Sequence, residues 1–121
     1  MYELVVQKSF AGAHSLRDYD GECEKLHGHN WKVEVTLKAR TLNKQGMVVD
    51  FKIVKKTLEE ILSRFDHSYL NELKEFYQDN PTTENVSKIV YDNLNKKLPP
   101  EVSVAKVRTW ESENCAAAYY A

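Results

Sequence analysis

The chain reads as an α+β domain in which two strands, two helices and two strands follow in order, and three patterns predict this. Apolar and polar residues alternate through residues 2 to 14 and 30 to 40, apolar residues recur at helical spacing in two later segments, and a polar tetrapeptide separates two further strand-like runs near the end. Side chains switch faces at each step along a strand, so alternation marks a sheet with one buried face. The expected architecture is ββααββ, an antiparallel four-stranded sheet carrying both helices on one face.

In the first strand Tyr2, Leu4, Val6 and Phe10 share their parity with His14. In the second, Trp31, Val33, Val35, Leu37 and Ala39 form one row, against Lys32, Glu34, Thr36, Lys38 and Arg40 on the other. A long loop joins them and carries Asp18, Tyr19, Asp20, Gly21 and Cys23; such loops in compact domains are usually functional or disordered. Asn43 to Gly46 reads as a turn. Asp50 is placed to cap a helix whose apolar stripe is Phe51, Val54, Leu58, Ile61, Leu62 and Phe65. Asp79-Asn80-Pro81 marks a loop, Thr82 or Thr83 can cap the next helix, and Val86, Ile89, Val90, Leu94 and Leu98 form its stripe before Pro99-Pro100 stops it. Residues 102 to 110 and 115 to 120 read as a hairpin around Glu111-Ser112-Glu113-Asn114, with Cys115 as a core residue of the last strand.

With 121 residues the chain is expected to be one domain, 1–121, with a single core. Its 17 basic and 18 acidic residues give a net charge of −1, so no global field draws it to nucleic acid or to an anionic membrane. Cys23 and Cys115 are too few for a secreted disulfide scaffold, the first residues lack the pattern of a secretory leader, and no apolar run approaches the ~18 residues of a membrane span. A reducing cytoplasm is the expected setting. The long apolar first strand is an edge that must be paired or covered, so assembly through edge pairing is expected, and a ring of such sheets would close into a barrel.

The chemistry is carried by histidine. His27 and His29 stand two apart and project to one side of a strand; antiparallel pairing of the first two strands brings His14 to them. Three nitrogen ligands with a fourth position open is the catalytic zinc pattern, whereas structural zinc sites are closed by four ligands, commonly thiolates.

Six ordered pieces then resemble the family of 6-pyruvoyltetrahydropterin and 6-carboxytetrahydropterin synthases. They are Phe10-Ala11-Gly12-Ala13-His14, Cys23-Glu24-Lys25-Leu26-His27-Gly28-His29-Asn30, Val49-Asp50-Phe51, Phe65-Asp66-His67-Ser68-Tyr69-Leu70-Asn71, Pro81-Thr82-Thr83-Glu84-Asn85 and Trp110-Glu111-Ser112. The resemblance implies the tunnelling fold, assembled as two trimers stacked head to head, with zinc-dependent sites at subunit interfaces. It implies that His14, His27 and His29 hold Zn²⁺, that Cys23 is the general base, and that Asp66 and His67 form a relay with it, although side chains adjacent in the chain are awkwardly placed to bond one another. Cys23 also has the spacing of a fourth zinc ligand. Glu111 would anchor the pterin by accepting from its N3–H and 2-amino group. Thr82 and Thr83 match positions lining the pterin pocket, and Arg17, Lys25 and Arg64 are candidates to face the triphosphate.

The spacing from Cys23 to His27-Gly28-His29 resembles the 6-carboxytetrahydropterin synthases of the queuosine route. These convert 7,8-dihydroneopterin triphosphate to 6-carboxy-5,6,7,8-tetrahydropterin with release of acetaldehyde and triphosphate. Glu24 also fits the pattern by which a folate-linked branch cleaves the side chain to 6-hydroxymethyl-7,8-dihydropterin, with Glu24 as the alternative acid/base. The 6-pyruvoyltetrahydropterin synthase reaction is a further alternative. A zinc- or pterin-binding protein without turnover would have no use for Cys23, Asp66 and His67.

Overall fold

A computed structural model of the chain describes residues 1–18 and 25–121. Cys23 and Glu24 lie outside the described residues.

Strand β1 spans Tyr2–His14 and pairs antiparallel with β2, His27–Ala39, in an unbroken register from Tyr2 against Ala39 to His14 against His27. The second strand therefore starts earlier than residue 30, because the pairing runs to the last residue of β1. Helix α1 is Phe51–Leu62, strand β3 is Ser68–Tyr69, helix α2 is Thr83–Lys97, and β4 and β5 are Ser103–Trp110 and Ala116–Tyr119. Two single turns of 3₁₀ helix, Leu70–Glu72 and Lys74–Phe76, fill the path from β3 toward α2.

The sheet order is β3-β1-β2-β4-β5. The expected antiparallel four-stranded sheet is thus a mixed five-stranded one: β3 adds in parallel to β1 at Gly12 and Ala13. The reason lies just before it. Asp66 Oδ1 accepts the Ala11 amide at 2.9 Å and the His67 amide donates to the Ala11 carbonyl at 2.6 Å, so the chain leaving α1 docks on the free edge of β1. That docking ends α1 at Leu62, before Phe65, and His67 takes a left-handed backbone with φ of 55° to make the turn.

Alternation chose the buried face as expected. Val6, Phe10, Trp31, Val33, Val35, Leu37, Val104 and Val107 join Val54, Leu58, Ile61 and Leu62 of α1 and Val86, Val90 and Leu94 of α2 in one core cluster. Phe10 and Trp31, opposite one another in register, stack at 5.6 Å with ring planes 7° apart, and burial of each such aromatic stabilises by about 2–3 kcal/mol. Between Phe10 and His14 on this face stands Gly12, where a Cβ would come within 3.1 Å of the Phe10 ring and 3.4 Å of the Phe65 carbonyl. Its own carbonyl accepts from Trp31 Nε1 at 3.1 Å, which seats the indole beneath the strand ends.

The caps are those the sequence offers. Asp50 accepts from the Lys52 amide at 2.9 Å, and Thr82, not Thr83, accepts from the Asn85 amide at 3.1 Å. Inside the sandwich the Ser87 hydroxyl donates to Thr109 Oγ1 at 2.7 Å with both residues fully buried, which fixes α2 against the strand leading to Glu111. Cys115 is exposed rather than part of the core. Its carbonyl closes the hairpin by accepting the Glu111 amide at 3.2 Å, and strand pairing resumes only at Ala116.

Candidate metal centre

His14 and His27 face each other because they are the terminal pair of the β1–β2 register, and His29 follows one side-chain period later on the same face. Glu111 joins them from the end of β4, on the parity of Val107 and Thr109, which point into the core. One donor atom from each of the four residues lies within 4.8 Å of the others. His14 Nε2 is 3.0 Å from His27 Nε2, and Glu111 Oε1 is 3.1 Å from His14 Nε2, 3.7 Å from His27 Nε2 and 2.8 Å from His29 Nε2. Trp31 forms the floor, edge-on to His14 at 4.8 Å and to His29 at 5.8 Å.

The hydrogen bonds on the far side of two rings decide what this cluster can hold. His14 Nδ1 bonds the Pro81 carbonyl at 2.7 Å and His27 Nδ1 bonds the Lys25 carbonyl at 2.7 Å. A carbonyl only accepts, so each Nδ1 carries a proton and each ring turns its Nε2 inward. The 2.8 Å contact of His29 with Glu111 lacks hydrogen-bond geometry, so His29 Nε2 is buried with no hydrogen-bond partner among the described residues. Burial holds the His29 pKa below its ordinary value against the opposing pull of Glu111, and His27 and His14 depress it further.

Three imidazole nitrogens and a carboxylate converge, a donor set that a cation satisfies. Two atoms each about 2.1 Å from a tetrahedral ion stand roughly 3.4 Å apart; four of the six separations run from 2.8 to 3.7 Å, and all six lie within 4.8 Å. The residues present therefore fit a metal ion. Sequence reasoning missed Glu111 as a member of this cluster, though its parity with Val107 and Thr109 was the available signal.

Other expected residues fall elsewhere. Asp66 Oδ2 and His67 Nδ1 approach to 3.1 Å across the left-handed turn at His67, an ion-pair contact without hydrogen-bond geometry, as chain adjacency leads one to expect. They hang on the outer edge of β1 at Ala11, and neither belongs to the metal-ligand cluster. His67 lines an open groove with Ala11, Gly12, Gly28, His29 and Tyr69. The Asp66 carboxyl is held below its ordinary pKa, first by the Ala11 amide and then by His67. Thr82 spends its hydroxyl on the helix cap and Thr83 donates to Glu84 at 2.9 Å, while Pro81 beside them supports His14. Arg17 and Arg64 are committed: Arg17 bonds the Phe76 and Asp79 carbonyls and Asn80, and Arg64 pairs with Glu75 at 2.6 Å. Lys25 is exposed beside His27.

Among known proteins, the family described as 6-pyruvoyl tetrahydropterin synthase matches residues 3–121. A relative from Archaeoglobus fulgidus, named putative 6-carboxy-5,6,7,8-tetrahydropterin synthase, is 37% identical, with 92% of this chain and 89% of the relative covered. Another from Pyrococcus furiosus, named dihydroneopterin monophosphate aldolase, is 33% identical over 89% of this chain and 88% of its own. The solved 6-pyruvoyl tetrahydropterin synthase of Caenorhabditis elegans superposes with a TM-score of 0.90 at 25% identity, covering 99% of this chain and 95% of that one.

The chain belongs to the 6-pyruvoyl tetrahydropterin synthase family. It is an enzyme of that pterin-synthase class, and further relatives share the 6-carboxy name. No described helix is long and apolar enough to cross a membrane.

Proposed function

We propose that this chain is a zinc-dependent 6-carboxy-5,6,7,8-tetrahydropterin synthase. It takes 7,8-dihydroneopterin triphosphate and one water to the 6-carboxy product, acetaldehyde and triphosphate, as in queuosine biosynthesis. The observation that carries the reading is the convergence of three imidazole Nε2 atoms, one of them orphaned, beside a carboxylate. The 6-carboxy name on relatives from several sources points the same way. In this reading His14, His27 and His29 hold Zn²⁺. When bound, the ion supplies a Lewis acid that lowers the pKa of the substrate hydroxyl or adjacent C–H it polarises.

The protein's own groups do the rest. Cys23 removes a side-chain proton as thiolate, a form favoured by positive charge nearby. Asp66, 3.1 Å from His67 Nδ1, keeps a charge partner beside the imidazolium, so His67 can carry the proton onward. Because the pair sits on the outer edge of β1, it serves a site shared between subunits. Glu111 anchors the pterin edge through its carboxylate, with Thr82 and Thr83 at the pocket wall. The 1–121 domain works as a homo-oligomer, a hexamer of two trimers, in a reducing cytoplasm.

A second reading is side-chain cleavage to 6-hydroxymethyl-7,8-dihydropterin with Glu24 as acid/base, and the relative named dihydroneopterin monophosphate aldolase favours it. Incubation of zinc-loaded protein with dihydroneopterin triphosphate and, separately, the monophosphate distinguishes them. The proposed reading requires 6-carboxytetrahydropterin and acetaldehyde from the triphosphate; 6-hydroxymethyl product alone replaces it with the aldolase reading.

A further inference from the structure

Beyond His14 the chain runs on with no neighbouring strand on its outer edge among the described residues, and side chains hold its backbone there. The Ser15 amide donates to Asn71 Oδ1 at 2.9 Å while Asn71 Nδ2 donates to the Ser15 carbonyl at 2.9 Å. Two residues on, the Arg17 amide donates to Asn80 Oδ1 at 2.8 Å and Asn80 Nδ2 donates to the Arg17 carbonyl at 2.8 Å. An amide group offers one acceptor and two donors, so one asparagine can grip both backbone groups of a single residue, as a paired strand would. The two grips hold Ser15, just past the end of β1, and Arg17, where the chain enters a turn.

Asn80 does more than hold an edge. Its backbone carbonyl accepts from the Thr82 amide and from Asn85 Nδ2, both at 2.8 Å, so it is also fixed to the start of α2. The next carbonyl, that of Pro81, is the acceptor at 2.7 Å for His14 Nδ1. Arg17 closes the ring from the other side, its guanidinium bonding the Phe76 and Asp79 carbonyls. His14 and its acceptor are thus tied together twice, through β1 and through the Asn80 clamp.

We infer that Asn80, assisted by Asn71, is a positioning residue that fixes the ring orientation and tautomer of His14 and thereby the affinity of the metal site. This rests on the metal reading above. Partners of ligating histidines set which nitrogen faces the metal, and their loss commonly weakens binding roughly tenfold to a hundredfold.

The experiment pairs Asn80→Ala with Asn43→Ala. Asn43 makes similar amide-to-backbone bonds, accepting from the Gln45 and Met47 amides at 3.0 Å, but in the turn after β2, away from the histidines. Zinc affinity is read by competition with a chelating indicator, and the His14 tautomer by imidazole ¹⁵N spectra of the metal-free protein. Asn80→Ala should weaken zinc binding by about tenfold or more and lose the Nδ1–H signal of His14, while Asn43→Ala leaves both as in the wild type. Should Asn80→Ala fail to fold, Asn80→Asp serves, since it keeps the acceptor for the Arg17 amide and loses the donor to the Arg17 carbonyl; it should move both readouts in the same direction. Native zinc affinity and tautomer in the folded Asn80 variant, or equal losses in Asn43→Ala, overturn the inference. Wild-type protein that takes up no zinc defeats the metal reading instead, and the imidazole spectra then decide the clamp alone.

Discussion

His14 Nε2 and His27 Nε2 stand 3.0 Å apart although the outer nitrogen of each ring already gives its hydrogen to a carbonyl. Two lone pairs at that distance repel unless a cation or an added proton stands between them. Zinc-loaded protein should therefore carry about one zinc per chain by elemental analysis, and His27→Ala should lower zinc affinity by at least roughly tenfold while the circular dichroism spectrum persists, as an open catalytic site allows. Retention of full affinity in that variant would remove His27 from the ligand set.

The two candidate bases are separable by product. Cys23→Ala should abolish the 6-carboxy product yet keep zinc, since His14, His27, His29 and Glu111 are untouched. Glu24→Ala should leave that product nearly unchanged and remove any 6-hydroxymethyl product. Loss of zinc from Cys23→Ala would make the cysteine a ligand, and loss of all turnover in Glu24→Ala alone would assign the chemistry to the carboxylate.

Asp66 makes a prediction about acid. Its folded pKa is held low, chiefly by the Ala11 amide, so ionised Asp66 is favoured in the fold. The resulting stability is present above the unfolded value of about 3.9 and fades as pH falls through the lower folded value. Asp66→Asn should be less stable than the wild type in neutral urea titrations, the gap closing below about pH 4, and its turnover should drop by on the order of 10²-fold. A stability gap independent of pH would show that the carboxylate charge is not involved.

Glu111 has two candidate partners, the imidazoles it touches and the pterin edge. Glu111→Gln keeps the shape and removes the charge. If anchoring dominates, KM for the pterin should rise by about tenfold or more, as for loss of a charge-assisted bond of roughly 1.5–3 kcal/mol, with zinc affinity little changed. A fall in zinc affinity at constant KM would make the residue a metal ligand.

Much of this was legible in the sequence because alternation along a strand is a strong constraint. The even positions of β1 and the odd positions of β2 mark the buried face, and that pattern places His14 opposite His27. Asp50 and Thr82 announced their helices through capping chemistry. What was hidden leaves no periodic trace. The parallel pairing of Ser68 and Tyr69 with β1 depends on Asp66 capturing an amide far away in the chain, and the Asn71 and Asn80 grips are single side chains acting as a strand. Cys115 looked apolar by company, yet it sits where the hairpin closes rather than where the sheet resumes.

The proposed assembly would use the same edge. β3 covers β1 only at Gly12 and Ala13, and among the described residues no strand covers the outer edge from Tyr2 toward Phe10, where Tyr2 and Val5 are about half exposed. If sites are shared between subunits as proposed, sedimentation should give a hexamer or trimer, and dilution to monomer should cost activity by removing the neighbour that Asp66 and His67 would serve. A monomer with full activity would contradict shared sites.

The dependence on zinc is tested most directly by the product formed from dihydroneopterin triphosphate by metal-free protein before and after one equivalent of zinc. No turnover is expected without the ion and, on its addition, 6-carboxytetrahydropterin with acetaldehyde. Full turnover by the metal-free protein would contradict it.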